Sequence, residues 1–214
     1  MAYVALILQV VFLVTAFVLR SVLHARRTGS IGFRVGSGRR TPAQMLGAGG
    51  ITAAAIGSAI GVALELAGAV PSFPLLDKLG IGLAGCAVGG FGILVVLKGQ
   101  ADMGASWRIG VDSTERTELV TTGVFRWTRN PIFLGMLLFW IGIGLTAPNV
   151  VTLASAAIAL VAIELQVRRV EEPYLLKAHG DVYRRYASET GRLVPWFGKL
   201  SYKGQSREET LEWR

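Results

Sequence analysis

Two segments of this 214-residue chain concentrate the side chains that could bind a polar group or move a charge. The first, "GVFRWTRNPIFLG" at 123–135, sets Arg126, Arg129 and Asn130 against an unbroken apolar run. The second, "ELQVRRVEEPYLLKAHGDVYRRYASETGRLVP" at 164–195, starts where another apolar run ends and holds Glu164, Arg168, Glu171 and Glu172 close together. Guanidinium forks match carboxylates and phosphates. Acidic side chains beside a bilayer-length apolar run are costly unless they are paired or face a cavity. Glu164 and Arg168 stand four apart in the acid-first order that a helix favours, and Arg168 and Glu172 repeat the spacing. Ion pairing at a helix end would account for such a cluster, and so would a polar pocket at the membrane boundary.

Other chemistries lack their residues. One cysteine, Cys86, excludes a disulfide framework or a thiolate metal site within the chain. The two histidines, His24 and His179, are far apart, so no metal is expected. A net charge of +8 would suit nucleic acid. Its placement along the chain has a simpler origin, described below, and no nucleic acid is expected as a partner.

With 52% hydrophobic and 17% charged residues, the elements that position these side chains are membrane spans. Five apolar runs, at about 2–19, 45–70, 80–97, 131–147 and 150–167, approach the roughly 20 residues that a bilayer core requires. The first has no positive segment before it and no small-residue cleavage site after it, so it reads as a retained span. Gly57 and Gly61, and Gly85 and Gly89, are each four apart, a spacing that lets backbones approach closely. The fourth and fifth runs are joined by "APN" and form a helical hairpin, with Pro131 at the first position of its first helix. Lys and Arg fall 21 of 22 on one side of these spans, Lys78 being the exception. The positive-inside rule then predicts an external N-terminus and a cytoplasmic C-terminal helical region, in a multi-pass protein of the cell's inner (plasma) membrane.

The expected fold is therefore all-α and polytopic. Residues 1–97 form three spans with a basic loop, whose "GSGRRT" at 36–41 lacks the spacing of a phosphate loop. Residues 98–214 form a catalytic region. Within it the long loop 98–131 is expected to dock through Trp107, Phe125 and Trp127. Pro173 is expected to break or kink the fifth span and turn the next helix across the cytoplasmic face.

"ELVTTGVFRWTRNPIFLG" followed by "RRVEEPYLLKAHGDVYRRYASETGRLVP" resembles the isoprenylcysteine carboxyl methyltransferase family and its bacterial relatives, integral-membrane enzymes that use S-adenosylmethionine. The resemblance covers about residues 104–196. It implies that Leu119, Val120 and Phe125 line the cofactor, that Asn130, Pro131 and Phe133 shape its pocket, and that Glu171 holds a polar end of it, with Tyr183 beside it. Arg168 corresponds to the family's substrate-side arginine. Arg168 and Arg129 are the catalytic candidates, and Arg168, Glu172, Trp127 and Tyr186 the substrate-binding ones. The chain departs from the family pattern where Asn130 replaces a histidine, Phe125 and Phe133 stand at frequent tyrosine positions, His179 replaces a phenylalanine, and Pro173 follows the glutamates.

The resemblance implies methyl transfer to a lipid-like or small hydrophobic acceptor at the cytoplasmic membrane face, among membrane lipids as partners. A carboxylate is the favoured acceptor, being ionised at pH 7 without a general base. An NADPH-dependent membrane reductase of the steroid-reductase type and a non-enzymatic membrane scaffold are the competing readings. Oligomeric state is open, because the glycine-spaced faces could pack within one chain or between chains.

Overall fold

The computed structural model describes residues 1–29, 41–104 and 118–202. Trp107, most of the 36–41 segment and part of the 98–131 loop lie outside them. The described chain is helical: α1 Ala2–Leu13, which continues through a π-helical stretch Val14–Leu19 into α2 Arg20–Thr28; α3 Pro42–Leu66; α4 Leu79–Met103; α5 Pro131–Thr146; α6 Val150–Gln166; and α7 Glu172–Glu189. Among the described residues the one extended pairing is an isolated parallel bridge, Thr128 to Gly191.

Four continuous helical stretches, Ala2–Arg26, Pro42–Leu66, Leu79–Met103 and the start of Val150–Glu189, are long and apolar enough to cross a membrane. The fourth expected span, Pro131–Thr146, is apolar but shorter. At about 1.5 Å per residue it reaches about 24 Å, less than a bilayer's hydrocarbon core. It is also the most enclosed helix, with Met136, Phe139, Trp140 and Ile143 all buried. Its neighbours carry the lipid boundary, where Ile7, Leu46, Leu83, Leu94 and Val161 stay exposed. The protein is thus an all-α polytopic membrane protein.

Glycines decide which helices pair. Along the α3–α6 seam Gly47, Gly50, Gly57 and Gly61 meet Gln166, Ala162, Ser155 and Thr152 in turn, an antiparallel order. Along the α4–α5 seam Gly85 meets Thr146, Gly92 meets Gly135, and Gly99 meets Ile132. A Cβ at Gly142 would lie 2.5 Å from Gly89 Cα and 2.6 Å from Gly85 O, so the backbones touch there. Lipid tails are as apolar as leucine, so close van der Waals contact rather than burial from water holds such seams. Both glycine pairs noted in the sequence pack within the chain, and both seams join residues before 97 to residues after 98.

Local chemistry sets the ends of the hairpin. Pro131 opens α5, where its missing N–H is not needed. Asn149 caps α6, its Oδ1 accepting from Val151 N and Thr152 N at 3.0 Å each. Its Nδ2 donates to Gly61 O at 3.0 Å and Glu65 Oε2 at 2.8 Å, which gives the intramembrane Glu65 a partner.

Pro173 does not break the chain as expected. The helix widens into a π-helical turn, Val167–Glu171, just before it, and α7 continues with the proline in its first turn. The wide turn leaves room for a ring that would otherwise meet the carbonyl four residues earlier. The kink lies at Gly180 instead, with φ 53° and ψ −125°, a backbone conformation open to glycine.

Candidate active site

The two chemistry-bearing segments meet at one end of the bundle. The turn Gly123–Arg126 leads into α5, and Asp102 at the end of α4 holds it by accepting from Val124 N at 2.9 Å. Asp102 also pairs with Lys98. Gly123, at φ 61°, leaves room for that carboxylate, since a Cβ would sit 2.6 Å from its Cγ. The next residues are stitched to the loop after α7. Arg129 N donates to Gly191 O at 2.9 Å, and Asn130 Nδ2 and Thr128 Oγ1 both donate to Arg192 O, at 2.9 and 3.2 Å.

Arg129 is the centre of this stitching. Its side chain is 1% exposed. Nη1 donates to Ala187 O at 2.8 Å and Thr190 O at 2.6 Å, and Nη2 donates to Glu172 Oε1 at 2.5 Å and Gly198 O at 3.0 Å. Glu172 also accepts from Arg192, Nε to Oε1 at 2.8 Å and Nη2 to Oε2 at 3.0 Å. That carboxylate holds Arg192's pKa above its usual value. Glu172 and the two arginines form a buried clasp between the α5 entrance, α7 and the loop 190–198. The carboxylate is shared by two guanidinium groups, and of the Arg129 side-chain nitrogens Nε alone has no partner among the described residues.

The expected site residues divide accordingly. Arg129 and Glu172, taken as catalytic and substrate-binding, have their charged atoms bonded within the protein. Arg168 is exposed and paired with Glu164 rather than sharing a face with Glu172. The π-turn inserts an extra residue per turn, which rotates Glu172 inward and breaks the four-residue spacing. Tyr183 is 1% exposed and lies edge-on to Tyr186, ring centroids 6.2 Å apart. Burial, chiefly, raises the Tyr183 phenol to about 12, with Arg129 acting against the rise and Glu172 adding to it. Burial also raises Tyr186, whose hydroxyl donates to Phe125 O at 2.5 Å. Phe125 and Pro131 are buried, and Asn130 is half-buried. Phe133 packs against the core. Glu171 is half-buried and accepts from Gln166 Nε2 at 3.3 Å. Leu119 and Val120 are half-buried in the segment leading to the turn, and Trp127 is exposed.

Arg192, Asp102 and Gln166 were missed in the sequence. Gln166 is a polar residue closing an apolar run one turn before Glu171, and that position was its signal. Arg192 stood inside the quoted "GRLVP", with nothing local to show that it reaches Glu172.

Residues 81–182 match the model of the phospholipid methyltransferase family. The chain is 39% identical over 74 residues to the methanethiol S-methyltransferase of Mycobacterium tuberculosis (strain ATCC 25618 / H37Rv), a match covering 34% of this chain and 29% of that protein. Its fold is similar to that of a eukaryotic intramembrane Ras methyltransferase, isoprenylcysteine carboxyl methyltransferase, with a TM-score of 0.61 at 20% identity, over 91% of this chain and 66% of that one. The chain thus spans under two thirds of the length of either protein. The family match over residues 81–182, just under half of the chain, and the similar fold together make the chain similar to intramembrane methyltransferases of the phospholipid and isoprenylcysteine carboxyl methyltransferase type.

Proposed function

We propose that this chain transfers a methyl group from S-adenosylmethionine to a small hydrophobic or lipid-like acceptor at the cytoplasmic face of the inner membrane. The observation that supports it best is the convergence of the α5 entrance, the π-turn and α7 at one polar end of an apolar bundle. The fit to the cofactor rests on polar atoms that the fold leaves available there. Gln166 Oε1 and His179 Nε2 are buried with no hydrogen-bond partner among the described residues. The Asn130 side chain caps none of the first-turn amides of α5. Uncapped amides suit a carboxylate, and an orphaned carbonyl oxygen suits an ammonium or amino group.

The sulfonium, when bound, supplies an already electrophilic methyl group. The protein's own part is then alignment and exclusion of water. Glu171 and Gln166 would hold the polar end, while Phe125, Leu119 and Val120 line the apolar part. The clasp through Arg129 is a positioning device, because it joins the α5 entrance to α7. Tyr183 and Tyr186 remain protonated phenols at neutral pH, so they act as walls and donors rather than bases.

For the acceptor, a carboxylate would be steered by a guanidinium, with Arg168 and Arg129 as the candidates. Arg129's terminal nitrogens are spent on Glu172 and carbonyls, which leaves Arg168. A thiol acceptor is the second reading, favoured by the similarity to the methanethiol S-methyltransferase of Mycobacterium tuberculosis. Titration of purified protein with S-adenosylmethionine and with NADPH tests the cofactor. Saturable binding of the first alone is the expected result, and binding of NADPH alone would overturn the proposal.

A further inference from the structure

The loop that grips Arg129 from one side presents an apolar surface on the other. Between Arg192 and Gly198 its backbone closes on itself, Arg192 N donating to Phe197 O at 2.7 Å and Phe197 N to Val194 O at 3.2 Å. Gly191 is packed inside the turn, where a Cβ would lie 2.8 Å from Trp196 N and 3.0 Å from Phe197 O. Trp196 has φ 68°, the left-handed region that a bulky side chain rarely adopts. The strained turn leaves Val194 51%, Trp196 70% and Phe197 73% exposed. Such strain persists where the surroundings over-determine it, and it is often tied to function.

The position of the loop indicates what covers these side chains. Its backbone is bonded to Arg129 and Asn130, immediately before the apolar helix α5 begins at Pro131. The loop is therefore continuous with the boundary where a membrane-buried helix meets water. Trp127, 56% exposed, lies next to the Thr128–Gly191 bridge with the Arg126 guanidinium 5.7 Å from its ring centroid. Lys199 is exposed just beyond the loop. Tryptophan rings favour the headgroup level, and flanking Lys and Arg favour anionic lipid.

We propose that Val194, Trp196 and Phe197, with Trp127, form an interfacial anchor seated in the headgroup layer of the leaflet beside the candidate site. The inference requires the membrane-spanning fold and not the methyl transfer. Because the opposite side of the same loop supplies Gly191 O, Arg192 O and Gly198 O to the α5 entrance, the bilayer surface would help hold that entrance in shape.

The test places a single environment-sensitive nitrobenzoxadiazole label at Phe197→Cys in a Cys86→Ser background, with Val194→Cys as a second site should the first fail to fold. The full chain is reconstituted in phosphatidylcholine–phosphatidylglycerol vesicles carrying doxyl quenchers either near the headgroup or deep in the acyl chains. A label at Ile158→Cys, on the exposed side of α6, gives the deep reference. Labels at 194 and 197 should show blue-shifted emission and stronger quenching by the shallow doxyl than by the deep one, the reverse of 158. Quenching by aqueous iodide and not by doxyl lipid would overturn the anchor. Protection from both quenchers would also overturn it: recovery of iodide access on removing residues 203–214 would assign the cover to the chain's own tail, and crosslinking between copies through position 197 to a second copy.

Discussion

Substituting Gln for Glu172 keeps the side chain's size and one acceptor oxygen but removes the negative charge shared by Arg129 and Arg192. Arg129 is 1% and Arg192 13% exposed, so only the second can recover solvation in place. Removing one partner of a buried ion pair costs about 3–5 kcal/mol. The retained acceptor and the partial exposure of Arg192 argue for the lower end, about 3 kcal/mol. That is about a hundredfold in the equilibrium between the closed and open clasp. The loss should be local, because the glycine seams of the bundle are untouched. Hydrogen exchange reads it directly at the Arg129, Arg192 and Leu200 amides, which donate to Gly191 O, Phe197 O and Ala187 O. Exchange in peptides spanning 128–131 and 191–200 should accelerate about a hundredfold, if those amides exchange through clasp opening, while α4 and α6 keep their protection. Unchanged exchange at these amides, with weaker acceptor binding alone, would refute the clasp and return Glu172 to the substrate-binding role that the sequence suggested.

Glu171→Gln should weaken S-adenosylmethionine binding at least tenfold, from loss of a charge-assisted hydrogen bond of about 1.5–3 kcal/mol, with thermal stability kept; calorimetric titration reads it. Gly142→Ala should lower the melting temperature in detergent, because its Cβ would meet the backbone of α4, whereas Gly49→Ala, in open space, should raise stability by about 0.5–1 kcal/mol. Tyr183, whose pKa is raised to about 12 from 10.0, favours the fold while it is protonated. That contribution is full below about pH 10 and lost as pH rises through about 12, so Tyr183→Phe should flatten the alkaline limb of a stability profile. With a carboxylate acceptor the methylation rate should be nearly flat from about pH 6.5 to 8.5, while a rate rising about tenfold per pH unit would identify an acceptor deprotonated on the enzyme, such as a thiol. Reporter fusions after residues 35, 110 and 205 should all report cytoplasm, and an external signal at 110 would overturn the topology.

What the sequence by itself determined is what each segment settles locally. A long apolar run must satisfy its backbone internally in lipid, so five helices followed from five runs. Pro131 starts a helix as its chemistry predicted, and Asn149, read in the sequence only as part of a turn, also caps α6; both act within a few residues. Glycine spacing showed that close packing would occur. It could not show that Gly57 and Gly61 face α6 while Gly85 and Gly89 face α5, since both faces look alike until the helices are placed. Only the tertiary structure decided the roles of the charges. Arg129 finds Glu172 43 residues away, and Glu172 finds Arg192 20 residues away. One π-turn before Pro173 rotated Glu172 off the face of Arg168 and into the protein. A shift of one residue in helical phase turns a surface ion pair into a buried clasp, and the cost of that wide turn depends on what packs around it rather than on the residues that form it.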